Sequence, residues 1–304
     1  MQIVFFGNTK YSVIVAKSIH NEYGLSSVVT LPDRPLGRKK LLTPSPVAQF
    51  ALENKIPVLT FDKLDKTVIL SNAKDLSRMR ASNKLRDSSA TPQNDNNIDF
   101  LVVADYGRIL PQEVLDLPKK APLNVHHSLL PKYRGPAPAP TAILNGDKVS
   151  GVTIIKMVDE VDAGPILAQK EYTLAPDETT DSLLTKLNTL GGKLVVDVIK
   201  NYDSLNAVPQ DNSKASLTNR MSKQDGYIDL ENPPTADKLD RMIRAYHPWP
   251  GVWTKFEIRN SKFEILKFLP QQKLQVEGGN PMSVKDFLNG YPEMKEIITR
   301  LLEG

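Results

Sequence analysis

Ile-Val-Phe-Phe-Gly at 3–7 is followed at once by Tyr-Ser-Val-Ile-Val-Ala-Lys-Ser-Ile at 11–19: an apolar strand, a turn and a helix. A strand that is apolar throughout has no face to offer water and must be covered on both sides, which commits the chain to a layered α/β sheet. Val-Val-Thr-Leu at 28–31 and the short run at 56–59 read as further strands, with a helix over 45–54 between them. Asp-Phe-Leu-Val-Val-Ala at 99–104 has the most buried character of all. The expected architecture is a doubly wound α/β domain. Gly7 stands without the second and third glycines of a dinucleotide fingerprint, so a nicotinamide cofactor is not expected.

The remaining length has to be housed elsewhere. At 304 residues the chain has room for one large or two ordinary domains. Segment 204–220 is polar and irregular and reads as a linker, followed by a helix over 236–245, strands over 252–258 and 262–268 and a terminal helix over 293–302. Ahead of the linker, 179–201 has helical spacing, with Leu183, Leu184, Leu187, Leu190, Leu194 and Val198 on one face and a weak point at Gly191-Gly192. Segment 62–97 is polar, poorly periodic and close to low complexity over 88–97. Part of it reads as an insertion outside the core, with 66–97 removable and closed by a short glycine-serine link, although part of 66–85 has helical character.

Several chemistries are excluded at this level. There is no cysteine, hence no disulfide, thiolate metal site or cysteine nucleophile. His20, His126, His127 and His247 are the only histidines, and no carboxylate pattern supports a metal among them, so no metal is expected. The chain opens without a basic leader, and no apolar run reaches the ~20 residues of a membrane span, so a soluble, cytoplasmic protein is expected; separately, a monomer is expected. The net charge of +4 leans mildly toward an anionic partner. Segment 31–46, too rich in proline and glycine for a regular element, reads as a surface loop in which Arg34, Arg38, Lys39 and Lys40 face only Asp33. A phosphate backbone suits it, and a plain solvated loop is the alternative.

Chemistry gathers over 124–164. An apolar strand over 121–125 brings Asn124 and His126 to its end, two positions apart and so on one face of the pleat. A second strand over 151–157 delivers Asp162 in the loop that follows, so a carboxamide, an imidazole and a carboxylate are expected to converge at one sheet edge. Each residue alone has a plainer reading: a hydrogen-bonded histidine, a turn asparagine, an Asx turn before Gly164. Similarly Ile109, Leu110, Leu129 and Leu130 would, taken singly, be core.

Asn-Val-His-His-Ser-Leu-Leu-Pro at 124–131, Tyr-Arg-Gly-Pro-Ala-Pro at 133–138 and Asp-Ala-Gly at 162–164 together resemble the formyltransferases that use 10-formyltetrahydrofolate, and among them those acting on methionyl-tRNA. The resemblance covers nearly the whole chain. It implies a Rossmann-like catalytic domain over 1–203, the linker over 204–220 and an OB-like barrel over 221–304, entered through His-Pro-Trp-Pro-Gly at 247–251 and shortened between 268 and 279. It implies formyl transfer from 10-formyltetrahydrofolate to the α-amine of methionine on initiator tRNA. Asn124 and His126 would be donors to the oxyanion, and Asp162 would hold His126 charged or move protons through a water. Val103, Asp105, Tyr106, Ile109 and Leu110, with Ser128, Leu129, Leu130 and Pro131, would line the folate pocket. Arg34, Arg38, Lys39 and Lys40 would engage the acceptor arm, and Arg134 would touch phosphate or a carboxylate or form a structural ion pair. His127, where glycine is common in the family, would line the site. Formyltransferases of glycinamide ribonucleotide or sugar nucleotides, a formate-releasing hydrolase and a non-catalytic binding relative are the competing readings.

Overall fold

A computed structural model describes residues 1–36, 41–60, 98–258 and 262–303. The chain forms two compact units, one of Met1–Arg134, Gly151–Glu171 and Thr185–Ser216, the other of Gly135–Ser150, Tyr172–Leu184 and Leu217–Gly304.

The first unit is built on a seven-stranded sheet. Its strands are β1 (Ile3–Phe6), β2 (Ser27–Thr30), β5 (Val58–Thr60), β6 (Phe100–Val103), β7 (Ala121–His126), β8 (Val149–Lys156) and β9 (Ile166–Thr173), in the order β5-β2-β1-β6-β7-β8-β9. Pairings from β5 to β7 are parallel, and β8 runs antiparallel to β7. β1, β2 and β6 are buried along their whole length, as apolar strands covered on both faces must be. The chain runs outward from β1 and then returns to β6 on its other side. The carboxyl ends of β1 and β6 therefore flank the point where strand order reverses, where open α/β sheets form a crevice.

Two expectations are corrected here. Segment 31–46 is not wholly irregular: β3 (Arg34–Leu36) and β4 (Leu41–Thr43) pair as an antiparallel ribbon, with Arg34 opposite Thr43 and Pro35 opposite Leu42. A ribbon of two strands has two outer edges, so a proline lacking its N–H is tolerated there. Arg38, Lys39 and Lys40 lie outside the described residues, as does segment 62–97. Secondly, the helix Thr180–Asn201 continues through Gly191-Gly192. A Cβ on Gly191 would stand 2.5 Å from Val125 Cγ1, and one on Gly192 2.5 Å from Ser18 Oγ. The glycines let this helix lie close against β7 and the first helix, Ser12–Tyr23.

The second unit holds an antiparallel sheet of β10 (Val252–Ile258), β11 (Lys262–Leu269), β12 (Lys273–Val276) and β13 (Met282–Ser283), paired in that order. Gln271 and Gln272, both at positive φ, turn β11 into β12. The short stretch after 268 thus supplies one returning strand, and the described strands run as an open sheet in which β10 and β13 do not pair. Phe256, Phe287 and Tyr291 form its aromatic core, with ring centroids 4.8–6.0 Å apart.

Candidate active site

β7 places Asn124 and His126 on one face, and Asp162 meets both. Asn124 Nδ2 donates to Asp162 Oδ1 at 3.0 Å, and His126 Nδ1 lies 3.5 Å from Asp162 Oδ2, so each carboxylate oxygen has its own partner. His126 is 5% exposed. Its Nε2 lies 2.9 Å from the carbonyl of Tyr133, a residue at φ +65°. A carbonyl only accepts, so Nε2 carries the hydrogen, and a second hydrogen on Nδ1, facing Asp162, exists only in the imidazolium.

Asp162 comes in the loop after β8, which reaches the site by turning back. β8 is antiparallel to β7, with Lys156 opposite Leu123, and the Met157 N–H donates to Pro122 O at 2.8 Å. The loop therefore leaves near the start of β7 and folds back along it to reach Asn124 and His126. Gly164 makes the return possible, because a Cβ there would lie 1.9 Å from Lys156 O. Asp162 itself sits at φ +53°. Gln210 Nε2 donates to the carbonyls of Asp162, at 2.8 Å, and Gly164, at 2.7 Å. Sequence reasoning missed Gln210. It lies in a polar stretch with no period or motif, and only the tertiary fold brings it to the loop.

Behind the strand, His127 is 5% exposed with Nδ1 3.4 Å from Asp105 Oδ1. Burial pushes this imidazole below the ordinary histidine range. Asp105 opposes the shift, His126 adds to it, and the buried Asn188 opposes it. Asp105, at φ +47°, also accepts from Thr9 Oγ1 at 3.3 Å. Val103, Tyr106 and Leu110 share one apolar cluster, against which Met157 packs. Burial raises the Tyr106 phenol, with Arg108 opposing. Ile109 is 73% exposed, outside that cluster.

Residues 128–131 form a turn pinned from β8. Thr153, opposite His126, donates through Oγ1 to Ser128 O at 2.6 Å and accepts from the Leu130 N–H at 3.1 Å. Gln169 Nε2 donates to Leu130 O at 2.7 Å, and Ser128 Oγ to Lys132 O at 2.6 Å. Leu129 covers Gly151, where a Cβ would be 2.5 Å from Leu129 Cδ2. The Leu130–Pro131 bond is cis. Thr153 was unmarked in the sequence because a threonine inside a β-branched run looks like any strand residue.

The cationic candidates part company. Arg34 is exposed on β3, whereas Arg134 is 4% exposed and bonded to Gln210 and Asn212. A guanidinium so enclosed is a structural group in this conformation. Among the described residues no cluster of histidine and carboxylate side chains is placed to hold a metal ion, and no helix is long and apolar enough to cross a membrane.

A doubly wound sheet with a carboxamide and an imidazole of β7 around one carboxylate fits an enzyme class that manages protons and negative charge at a single oxygen, as transfer of an acyl-type group requires. The sequence comparisons agree. Residues 1–199 match the family described as Formyl transferase, and 220–273 match Formyl transferase, C-terminal domain. The chain belongs to the formyl transferase family. It is 38% identical to the methionyl-tRNA formyltransferase of Roseiflexus castenholzii over 84% of this chain and 75% of that one. With the enzyme of the same name from Caldicellulosiruptor saccharolyticus it is 31% identical over 96% and 97%. Among solved structures, a sugar N-formyltransferase from Shewanella superimposes with a TM-score of 0.61 at 16% identity, covering 89% of this chain and 98% of that one. The N-formyltransferase of Helicobacter canadensis, solved with folinic acid and dTDP-3-aminofucose, gives 0.58 at 18%, covering 92% and 99%.

Proposed function

We propose that this chain transfers a formyl group from 10-formyltetrahydrofolate to the α-amino group of methionine on initiator tRNA. The observation that carries the chemistry is Asp162 shared between Asn124 and His126. Its acceptor follows from relatives that share between three and four residues in ten with it over most of their length and are named for methionyl-tRNA.

The donor set fits such a folate: a buried imidazole, a carboxamide and a carboxylate stand together beside the apolar cluster of Val103, Tyr106 and Leu110. The folate supplies an activated formyl group on nitrogen. His126, its Nε2–H held by Tyr133, presents Nδ1 on the side of Asp162. A protonated Nδ1 offers a donor to the formyl oxygen as charge develops there, and Asp162 balances the imidazolium. Asn124 spends one amide hydrogen on Asp162 and keeps the other for the same oxygen. Asp162 is the group placed to take a proton from the attacking amine and return it to the leaving nitrogen. Val103, Asp105, Tyr106, Ile109 and Leu110 with 128–131 are assigned to the folate.

Residues 1–203, braced by 210–216, do the chemistry and 221–304 serve the acceptor RNA, joined by 204–220. Arg34 with Arg38, Lys39 and Lys40 makes the phosphate contacts, and the working form is a cytoplasmic monomer. The test supplies 10-formyltetrahydrofolate with methionyl-tRNA, a UDP-aminosugar, glycinamide ribonucleotide or water. Formyl transfer to methionyl-tRNA at a kcat/KM at least about a hundredfold above the other acceptors is expected, the discrimination a bound polar acceptor normally gives. Preference for either small acceptor overturns the assignment.

A further inference from the structure

Arg134 follows directly on the turn that orients His126, and its side chain is enclosed. Its Nε and Nη2 both donate to Gln210 Oε1, at 3.0 and 2.8 Å, Nη2 donates to Asn212 Oδ1 at 2.7 Å, and Nη1 lies 3.6 Å from Glu160 Oε1. A guanidinium has no acceptor, so Gln210 must turn its oxygen toward Arg134 and its amide hydrogens away. Both hydrogens then go to the carbonyls of Asp162 and Gly164. Glu160, Asp162 and Gly164 are thus tied to one buried cation, directly or through one amide. Asp162 is held at a positive φ that an L residue adopts at some cost, and Gly164 is locked against Lys156 O, so the tie fixes the twist between them.

We propose that Arg134 and Gln210 are positioning residues: a guanidinium-to-amide relay that sets the Asp162 carboxylate against Asn124 and His126. The proposal rests on the reading of Asp162 as the proton-handling group. The relay reaches His126 as well. Ser216, six residues past Gln210, accepts the Tyr133 N–H on its Oγ at 2.9 Å and the Arg134 N–H on its carbonyl at 2.8 Å, and Tyr133 O orients the imidazole. One short segment, 210–216, therefore braces both sides of the site.

Gln210→Glu separates the two ends of the relay, because a carboxylate still receives Arg134 but has no N–H for the loop carbonyls. Gln210→Met removes both ends at similar size, and Arg134→Lys keeps the charge while losing the fork. Each variant is made in the wild type and in Asp162→Asn. Measured are kcat and both KM values, thermal unfolding, and hydrogen exchange of the amides over 160–164. Expected for Gln210→Glu and Gln210→Met are a kcat loss on the order of 10- to 100-fold, as for small misplacements of a reacting group, both KM values within about twofold, faster exchange over 160–164, and no further loss in Asp162→Asn. Arg134→Lys should repeat the kcat loss. A Gln210→Glu kcat within about twofold of wild type, equal losses in both backgrounds, or unchanged exchange overturns the relay while leaving Asp162 in its role. Full turnover in Asp162→Asn alone overturns the reading on which the relay rests, and the relay with it.

Discussion

Asp162 commits both oxygens, since one serves a neutral amide and the other faces an imidazole. Asp162→Asn keeps the shape but neither balances an imidazolium nor accepts a proton, so turnover should fall at least a hundredfold with folate affinity kept. Asn124→Ala should cost about 3 kcal/mol of transition-state stabilisation, the scale of one lost oxyanion donor. Steady-state kinetics of both variants check this, and turnover within about threefold of wild type in both would contradict the assignment. His127 makes a separate claim on pH. Burial holds its folded imidazole below the ordinary value, so the folded chain refuses a proton that the unfolded chain accepts below about pH 6.5. Stability from this group is complete above that pH and declines as pH falls toward the folded value. Urea unfolding at pH 7.5 and 5.5 should show a larger drop in wild type than in His127→Asn, and equal drops would mean that the ring charges freely in the fold. Strand period put Asn124 and His126 on one face, and the loop after the next strand, with the resemblance, added Asp162; the structure brings the three side chains together. Gln210, Thr153 and Tyr133 O were not legible in the sequence, because a backbone carbonyl and two unremarkable polar side chains acquire a role only through contacts distant in sequence.

At the scale of elements, the sheet strands could be read because burial on both faces leaves an apolar run with few alternatives, as at 100–103. The ribbon of β3 and β4 was hidden, because Leu41 and Leu42 are 64% and 70% exposed and no buried face imposes a period on it. The helix Thr180–Asn201 was read in extent but misread at its centre, where Gly191 marks close approach rather than weakness. Gly191→Ala tests the difference. Helix propensity favours the alanine by about 1 kcal/mol, whereas forcing a methyl into Val125 costs about 1–3 kcal/mol. The variant should therefore lose stability, and activity with it, since Val125 lies between Asn124 and His126. A rise in melting temperature would mean that the helix has slack there. For segment 31–46, Arg38→Ala should lower kcat/KM for methionyl-tRNA and reduce the salt slope by roughly one unit with folate affinity unchanged. Identical activity across a salt titration would mark these cations as plain surface charge.

The whole molecule adds a constraint on segment 62–97 that composition alone did not contain. β5 ends at Thr60 and β6 begins at Phe100, and β2 and β1 lie between them in a sheet where all four run parallel. β5 leaves off at its carboxyl end and β6 starts at its amino end, so the two are joined by a crossover between parallel strands. Such a crossover needs about a dozen residues or more. Some of this length is therefore required by topology, whatever its sequence, and removing 66–97 leaves 61–65 to add to the closing link. The excess costs little, since loop-closure entropy changes by only ~0.6 kcal/mol per doubling of length. Replacing 61–97 by about twelve glycine and serine residues, the crossover minimum, should keep cooperative unfolding and most of the turnover. A link of about three residues, well short of that minimum, should abolish both, because β6 could pair beside β1 only if β5 left the sheet. Circular dichroism melts and formyl transfer to methionyl-tRNA distinguish the cases. Cooperative folding with the three-residue link would show that β5 is dispensable to the sheet, and loss of folding with the twelve-residue link would show that side chains within 61–97 contribute to the core.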